Sequence, residues 1–181
     1  MTTIVGLISY GRVWMGSDSL ISDGMQKLSL PHPKTFVRYV GERPLCFGVA
    51  GSARISQLLE QLELPAYHKK ASPRAFLFDL AEALRECLKD KGAGIEERGQ
   101  QGGNFEVLVA FDGELFVIQS DFSILETRGD FVAVGSGQYY ALGSLFSTEA
   151  SPDPAWRLRL ALMAAEHYDP GSGRPFWVGS I

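Results

Sequence analysis

The sequence contains few of the residues that build metal sites and disulfide frameworks. Its 181 residues include two cysteines and three histidines. Cys46 and Cys87 lack metal-ligand spacing and lie in apolar segments, so we expect buried free thiols. The histidines His32, His68 and His167 are scattered, and no zinc or Ser-His-Asp motif assembles around them in the sequence. The sequence therefore predicts neither a metal nor a cofactor.

Basic runs and long apolar runs are also missing. The net charge is −4, and without clustered lysine and arginine we do not expect a nucleic-acid partner. No apolar stretch approaches the roughly 20 residues of a membrane span, and the N-terminus lacks the layout of a signal peptide. An apolar fraction of 45% and a charged fraction of 21% are typical of a globular chain. We expect a cytoplasmic protein with one domain over residues 1–181, without a membrane partner.

Hydrophobic periodicity predicts alternating blocks of strands and helices. The predicted strands are 3–9, 12–17, 34–40, 45–49, 105–111, 114–119, 131–134 and 175–179. The predicted helices are 53–63, one beginning at Ser72-Pro73, 138–147 and 154–168. Residues 21–33 are predicted as loop or edge strand because of two prolines, and the glycine-rich stretch 92–104 as a loop. Strand blocks separated by helix blocks favour the α+β class with mainly antiparallel sheets.

The start of the chain carries a candidate nucleophile. If Met1 is removed, Thr2 presents a hydroxyl and a free amine on one residue. An N-terminal amine has a pKa near about 8, so it can accept the proton of its own hydroxyl at cellular pH. Taken alone, Thr2 is weak evidence, as are Asp18 at the end of a strand and Lys34 at the head of another. Gly135-Ser136-Gly137 does not favour a dinucleotide site, because Tyr140 stands where the third glycine would fall.

Together, six short motifs are far more specific than any one of them. They are TTIVG, GSDS, Lys34, the Gly48–Gly51 stretch, GSG at 135–137 and D-x-x-S at 169–172. In this order and over nearly the whole chain they resemble the proteasome β-subunit family, including the bacterial HslV-type threonine peptidases. The resemblance implies the N-terminal nucleophile hydrolase fold, a four-layer α-β-β-α sandwich with two mainly antiparallel sheets.

The resemblance also implies catalytic roles. Thr2 would attack a peptide carbonyl, with Lys34 beside it as a cation that favours the reactive state. Asp18 would pair with Lys34, and the Gly48 backbone N–H would face the developing oxyanion.

Other matching positions would orient the amine and border the substrate. The residues that orient the Thr2 amine would be Ser136, Asp169 and Ser172. The pocket for the residue before the cleaved bond would be bordered by Ile21, His32, Phe36, Cys46, Ala50 and Arg54. From this mixed set we expect a preference for apolar side chains.

The resulting expectation is a threonine-type endopeptidase that self-associates into a ring, as a stacked double ring, and cleaves unfolded polypeptides. An ATPase unfoldase is a candidate partner. Two alternatives stay open at this point: a catalytically silent ring or scaffold protein, and a small-amide hydrolase with the same Thr2 chemistry in a monomer or dimer.

Overall fold

The computed structural model describes residues 1–22, 26–68, 71–93, 95–97, 100–102, 104–127 and 129–181, with backbone alone at 95–97 and 100–102. The strands are β1 Thr3–Ser9, β2 Arg12–Ser17, β3 Leu20–Ser22, β4 Lys27–Ser29, β5 Thr35–Val40, β6 Arg43–Gly51, β7 Ile95–Glu97, β8 Gln100–Gly102, β9 Phe105–Phe111, β10 Glu114–Ile118, β11 Ile124–Glu126, β12 Phe131–Gly135 and β13 Trp177–Ser180. The helices are α1 Ala53–Gln61, α2 Pro73–Asp90, α3 Gln138–Ser147 and α4 Pro154–Tyr168.

Two antiparallel sheets form the centre of the fold. One has four strands in the order β12-β1-β2-β13, and the other has five in the order β11-β10-β9-β6-β5. Two further short antiparallel pairs are β3-β4 and β7-β8. The predicted α+β class with mainly antiparallel sheets is therefore confirmed.

Alternation along the strands places three apolar layers between the elements. In β6, Leu45 and Phe47 pack toward α1 and α2, whereas Cys46 packs between the two sheets. In β1, Ile4 packs between the sheets, whereas Val5 packs against α3 and α4. Because strand side chains alternate between faces, each central strand contributes to two cores. The layer order is α1/α2, five-stranded sheet, four-stranded sheet, α3/α4, as the four-layer prediction requires.

Most predicted boundaries agree with the structure within two residues, including β6, which extends to 43 and 51; the predictions miss β11 at Ile124–Glu126 and two short strands within 92–104. Residues 95–97 and 100–102 form an antiparallel pair, so the loop prediction for 92–104 is wrong there; Gly94, Arg98, Gly99 and Gly103 lie outside the described residues. The two strands are separated by two residues, the second of which is glycine, and such a spacing is a hairpin signal. The polar composition of the segment had favoured a loop instead. The last strand begins at Trp177 rather than at Pro175, since proline has no N–H to donate to a ladder.

The prediction of free thiols and that of loop or edge strand for residues 21–33 hold in the described parts, whereas burial is confirmed for Cys46 alone. Cys46 and Cys87 are free thiols, the first buried and the second half-buried. Burial raises the pKa of the Cys46 thiol to about 12. β3 and β4 provide the expected edge strands, while Asp23 and Gly24 lie outside the described residues. Within the part of the chain that the structure describes, no helix is long and apolar enough to cross a membrane, and no cluster of His, Cys, Asp and Glu suits a metal.

Candidate active site

The candidate site lies at one end of the sandwich, where several strand ends meet. Thr2 precedes β1, whose first residue pairs with Gly135 at the end of β12. Asp18 follows the end of β2, and Lys34 precedes β5. Because β1 runs antiparallel to β2 and β12, the start of β1 is brought next to the ends of both neighbours. This topology collects residues from distant parts of the sequence around Thr2.

The Lys34 ammonium group connects Thr2 to Asp18. Its Nζ donates to Thr2 Oγ1 at 3.1 Å, to Asp18 Oδ1 at 2.9 Å and to the Leu20 carbonyl at 2.5 Å. The side chain is only 8% exposed. Burial lowers the pKa of Lys34, and the attraction of Asp18 opposes that shift. The cation predicted to lie beside the Thr2 hydroxyl is thus within hydrogen-bond distance of it.

Asp18 is held by backbone groups as well as by Lys34. Its side chain is fully buried. Oδ1 accepts from the Thr3 N–H at 3.0 Å, and Oδ2 accepts from the Leu20 and Gly173 N–H groups at 3.0 and 3.1 Å. A buried carboxylate with this many donors is compensated and fixed in orientation. Asp18 therefore sets the position of Lys34.

A hydroxyl–carboxylate chain leads to the Thr2 nitrogen. Thr2 N donates to Ser136 Oγ at 3.3 Å, and Ser136 Oγ donates to Asp169 Oδ2 at 2.7 Å. Ser172 Oγ donates to the same Oδ2 at 2.7 Å. Asp169 begins the turn after α4, and the Gly171 N–H donates to its Oδ1 at 3.1 Å. Of the three residues predicted to orient the Thr2 amine, Ser136 contacts its nitrogen directly, whereas Asp169 and Ser172 are connected to it through Ser136.

Thr3 extends this chain, and the sequence reasoning did not include it. Thr3 Oγ1 lies 2.5 Å from Ser172 Oγ, and the residue is fully buried. Since the Ser172 proton is directed to Asp169, the Thr3 hydroxyl is the donor of this pair. The available signal was a threonine that opens a strand of buried residues, where an unpaired hydroxyl would be costly.

Met1 occupies the space next to the nucleophile. The Thr2 hydroxyl donates to the Met1 carbonyl at 2.6 Å. The Met1 side chain lies against Gly171, where an added Cβ would overlap it. In this form the Thr2 nitrogen is an amide and cannot act as a base.

Two cavities meet at Thr2. One, of about 500 Å³, contains Lys34 and is called here the lysine-side cavity. The other, of about 630 Å³, contains Ser136 and is called the serine-side cavity. Both are lined by Met1, Thr2, Gly51 and Ser52. An extended chain that crosses Thr2 would therefore place its two halves in different cavities.

Comparison with solved structures identifies this architecture, although no protein family model and no curated protein matches the sequence. BPH of Thiobacillus denitrificans, solved in complex with epoxomicin, is 25% identical, with a TM-score of 0.81 over 99% of this chain and 97% of that chain. HslV of Trypanosoma brucei is 18% identical, with a TM-score of 0.73 over 98% of both chains. Anbu of Pseudomonas aeruginosa, described as a helical assembly of the Anbu complex, is 19% identical, with a TM-score of 0.69 over 99% and 80%.

This chain has the N-terminal nucleophile hydrolase fold. The resemblance to the proteasome β-subunit and HslV-type family that the motifs suggested is confirmed by these neighbours.

In this N-terminal nucleophile fold, the structure revises the part of the predicted site that lies between 46 and 54. Gly48 lies in the middle of β6, between β5 and β9, with its α-carbon facing Ile4 and Met15 of the intersheet core. Gly48 pairs with Thr35 on one side and Leu108 on the other, and it lines neither cavity. Gly51 lines both of them instead.

The same displacement affects the predicted substrate pocket. Ile21 and His32 line the lysine-side cavity, whereas Ala50 lines the serine-side cavity. Three predicted residues lie elsewhere: Cys46 is buried between the sheets, Phe36 stacks on Phe47 at 5.3 Å, and Arg54 is exposed on α1. The lysine-side cavity is lined by Val49, Gly51, Ala53 and Gln57, each three residues after Cys46, Gly48, Ala50 and Arg54 respectively.

Gly51 is the residue whose conformation most depends on being glycine at this end of β6. Its φ is +101°, and a Cβ would overlap the Asn104 carbonyl oxygen. Ser52 follows as the N-cap of α1 and accepts from the Arg54 N–H. A glycine at a strand-to-helix junction before a serine cap was the signal that distinguished it from Gly48.

Proposed function

We propose that this chain is a threonine-type endopeptidase whose nucleophile is the Thr2 hydroxyl, active after Met1 is removed. The observation that carries the proposal is the pair of contacts at Thr2. Lys34 Nζ donates to its hydroxyl at 3.1 Å, and Ser136 Oγ accepts from its nitrogen at 3.3 Å. Nucleophile, neighbouring cation and candidate base then lie within one hydrogen-bonded site.

The first half of the reaction follows from these contacts. The free Thr2 amine accepts the hydroxyl proton, and the oxygen attacks the substrate carbonyl carbon to form a C–O bond. Protonated Lys34 stabilises the developing alkoxide. The C–N bond then breaks, and the Thr2 ammonium returns its proton to the departing amine, which leaves an ester on Thr2.

The second half uses the same groups in reverse. A water molecule gives a proton to the Thr2 amine and attacks the ester carbonyl. The ester C–O bond breaks, and the Thr2 oxygen recovers its proton. Ser136 and Asp169 keep the amine in place through both steps.

The oxyanion formed in both halves needs a hydrogen-bond donor. We assign this role to the Gly51 N–H, because Gly51 lies where the two cavities meet at Thr2. Loss of one such donor costs roughly 10²–10³ in rate in other hydrolases.

Intact-mass measurement tests the nucleophile directly. One preparation is released from a cleavable fusion to leave Thr2 first, and a second keeps Met1 under the same treatment. We expect a peptide epoxyketone, the class of reagent that needs an amine and a hydroxyl on one residue, to add once to the first and not to the second. The solved complex of BPH with epoxomicin supports this choice of probe.

Thr2→Ala completes the test. Because it removes the nucleophilic oxygen and keeps the amine, peptidase activity should fall by about 10³-fold or more. Full activity in Thr2→Ala would contradict the proposal. A processed wild type that takes no adduct would favour a catalytically silent scaffold.

We further propose that the active form is self-associated as a ring, in a stacked double ring, and that its substrates are unfolded polypeptides, with an ATPase unfoldase as a candidate partner. The helical assembly described for the Anbu complex supports self-association. Exposed aromatic side chains on the outer helices, among them Tyr139, Phe146 and Tyr168, also support it, since such side chains favour burial against another surface.

A further inference from the structure

The serine-side cavity contains a charge that the proposed mechanism does not use. Among the described residues that line it, Glu106 is the one with a charged side chain. The other polar side chains there include Asn104, Ser120 and Gln138, and Tyr139 adds an exposed ring. A single carboxylate in a cavity next to the nucleophile is a candidate determinant of substrate charge.

Glu106 is held at the wall of this cavity. It belongs to β9, opposite Ala50 of β6, and its Oε2 accepts from the Gly135 N–H at 3.0 Å. Within the described residues, no ion pair joins Glu106 to a lysine or arginine of this chain. Its negative charge is therefore available to a cationic group that enters the cavity.

The chemistry of the reaction decides which half of the substrate enters here. The departing amine takes its proton from the Thr2 ammonium, and the Thr2 nitrogen lies against Ser136. Ser136 lines the serine-side cavity, whereas Lys34 lines the other one. The residue after the cleaved bond, which carries the departing amine, therefore lies on the serine side.

We propose that Glu106 makes the serine-side cavity a subsite for a cationic side chain, lysine or arginine, in the residue directly after the cleaved bond. This rests on the proposed peptidase function. The aromatic ring of Tyr139 offers the aliphatic part of such a side chain, or a guanidinium, a face to lie against. A glutamate or aspartate at that substrate position would meet Glu106 with like charge.

Cleavage of matched peptides tests the assignment. Internally quenched peptides would differ at one position, with Lys, Gln or Glu after the cleaved bond, and product masses would locate the cut. For the wild type with Thr2 first, we expect kcat/KM to be at least ~10-fold higher for Lys than for Glu. In Glu106→Gln, which keeps an acceptor for the Gly135 N–H, the ratio should fall to within about twofold of unity.

Two controls separate substrate charge from damage to the site. Glu114→Gln changes an exposed glutamate at the far end of the β9–β10 hairpin and should leave the ratio unchanged. A peptide with an uncharged coumarin leaving group has no residue after the cleaved bond, so its kcat/KM in Glu106→Gln measures any general damage to the site, and the kcat/KM values for the Lys and Glu peptides are compared after division by that value.

The outcomes distinguish this inference from the function on which it rests. A wild-type ratio near unity, or a ratio that survives in Glu106→Gln, overturns the role of Glu106 while the coumarin substrate and the epoxyketone adduct still establish the peptidase. Absence of both turnover and adduct in the processed wild type overturns both proposals.

Discussion

Gly135 shows how much of the site depends on one residue without a side chain. Its φ is +93°, and a Cβ there would overlap the Thr2 carbonyl oxygen. Gly113 has a similar φ of +85° but open space around its α-carbon. Gly113→Ala should therefore cost only the roughly 1–2 kcal/mol of the left-handed backbone. Gly135→Ala should cost about 1–3 kcal/mol more and lower kcat/KM by about 10²-fold, because Thr2 is displaced.

Denaturant unfolding and peptidase assays of the two variants side by side measure these differences. Equal losses of stability would show that the contact between Gly135 and Thr2 is relaxed without cost. Unchanged kcat/KM in Gly135→Ala would show that the position of Thr2 does not depend on this contact.

Lys34 makes stability depend on pH in the alkaline range. Burial lowers its pKa in the folded chain below the ordinary value of 10.5. Between the folded value and 10.5 the unfolded chain binds more protons, so the free energy of unfolding rises with pH across this window. At pH values below the folded-state pKa, Lys34 is protonated in both the folded and the unfolded chain, so the free energy of unfolding does not change with pH through this group.

The difference in unfolding free energy between wild type and Lys34→Met isolates this contribution. Lys34→Met should be less stable at neutral pH, because Asp18 loses its buried partner. The wild-type advantage should then grow as the pH rises toward 10.5. Lys89→Met, an exposed change on α2, is the matched control. A wild-type advantage that shrinks with pH would contradict the direction of the shift.

At the scale of elements, helix α1 connects stability to the site. Ser52 caps α1 and also lines both cavities, whereas Ser72 caps α2 by accepting from the Ala75 N–H. Replacing either serine with alanine should cost about 1 kcal/mol of stability. Only Ser52→Ala should also lower kcat/KM, by several-fold. Ser52 directly follows Gly51, and its capping hydrogen bond holds this junction between β6 and α1 in place. Thermal unfolding with peptidase assays compares them, and an equal loss of kcat/KM in Ser72→Ala would refute the local explanation.

The β5–β6 hairpin explains why one part of the predicted site is displaced along the chain. Thr2, Asp18 and Lys34 lie in contact as predicted, since each stands at the end of a strand whose extent the hydrophobic pattern shows. The resemblance implies an oxyanion donor at Gly48, which lies three residues before Gly51. The hairpin pairs Val40 with Arg43 and Thr35 with Gly48, and β6 runs on to Gly51. Beyond Gly48, β6 has no partner in β5 and continues to Gly51 by pairing with β9. This long-range pairing is not visible in a single sequence.

At the scale of the whole molecule, the strand alternation and the resemblance together predicted the four layers. Alternation shows that a strand such as β1 is buried on both faces, but not which neighbour covers each face. Val5 faces α3 and α4, about 140 residues away in sequence, and Ile4 faces the second sheet. Which element covers each face of β1 depends on the combined packing of all four layers. The resemblance to a known family predicted this arrangement, whereas no local sequence pattern did.

Self-association is the last property to be tested on the whole molecule. We expect sedimentation velocity and light scattering of the processed wild type to give a mass well above one chain, at a defined multiple. Dilution that dissociates the assembly should lower the specific peptidase activity in parallel, because a ring encloses the site and its substrate. Thr2→Ala keeps the surface of the fold and should assemble equally, which separates assembly from catalysis. A monomer or dimer that cleaves short amides at undiminished specific activity on dilution would contradict the ring and support a small-amide hydrolase.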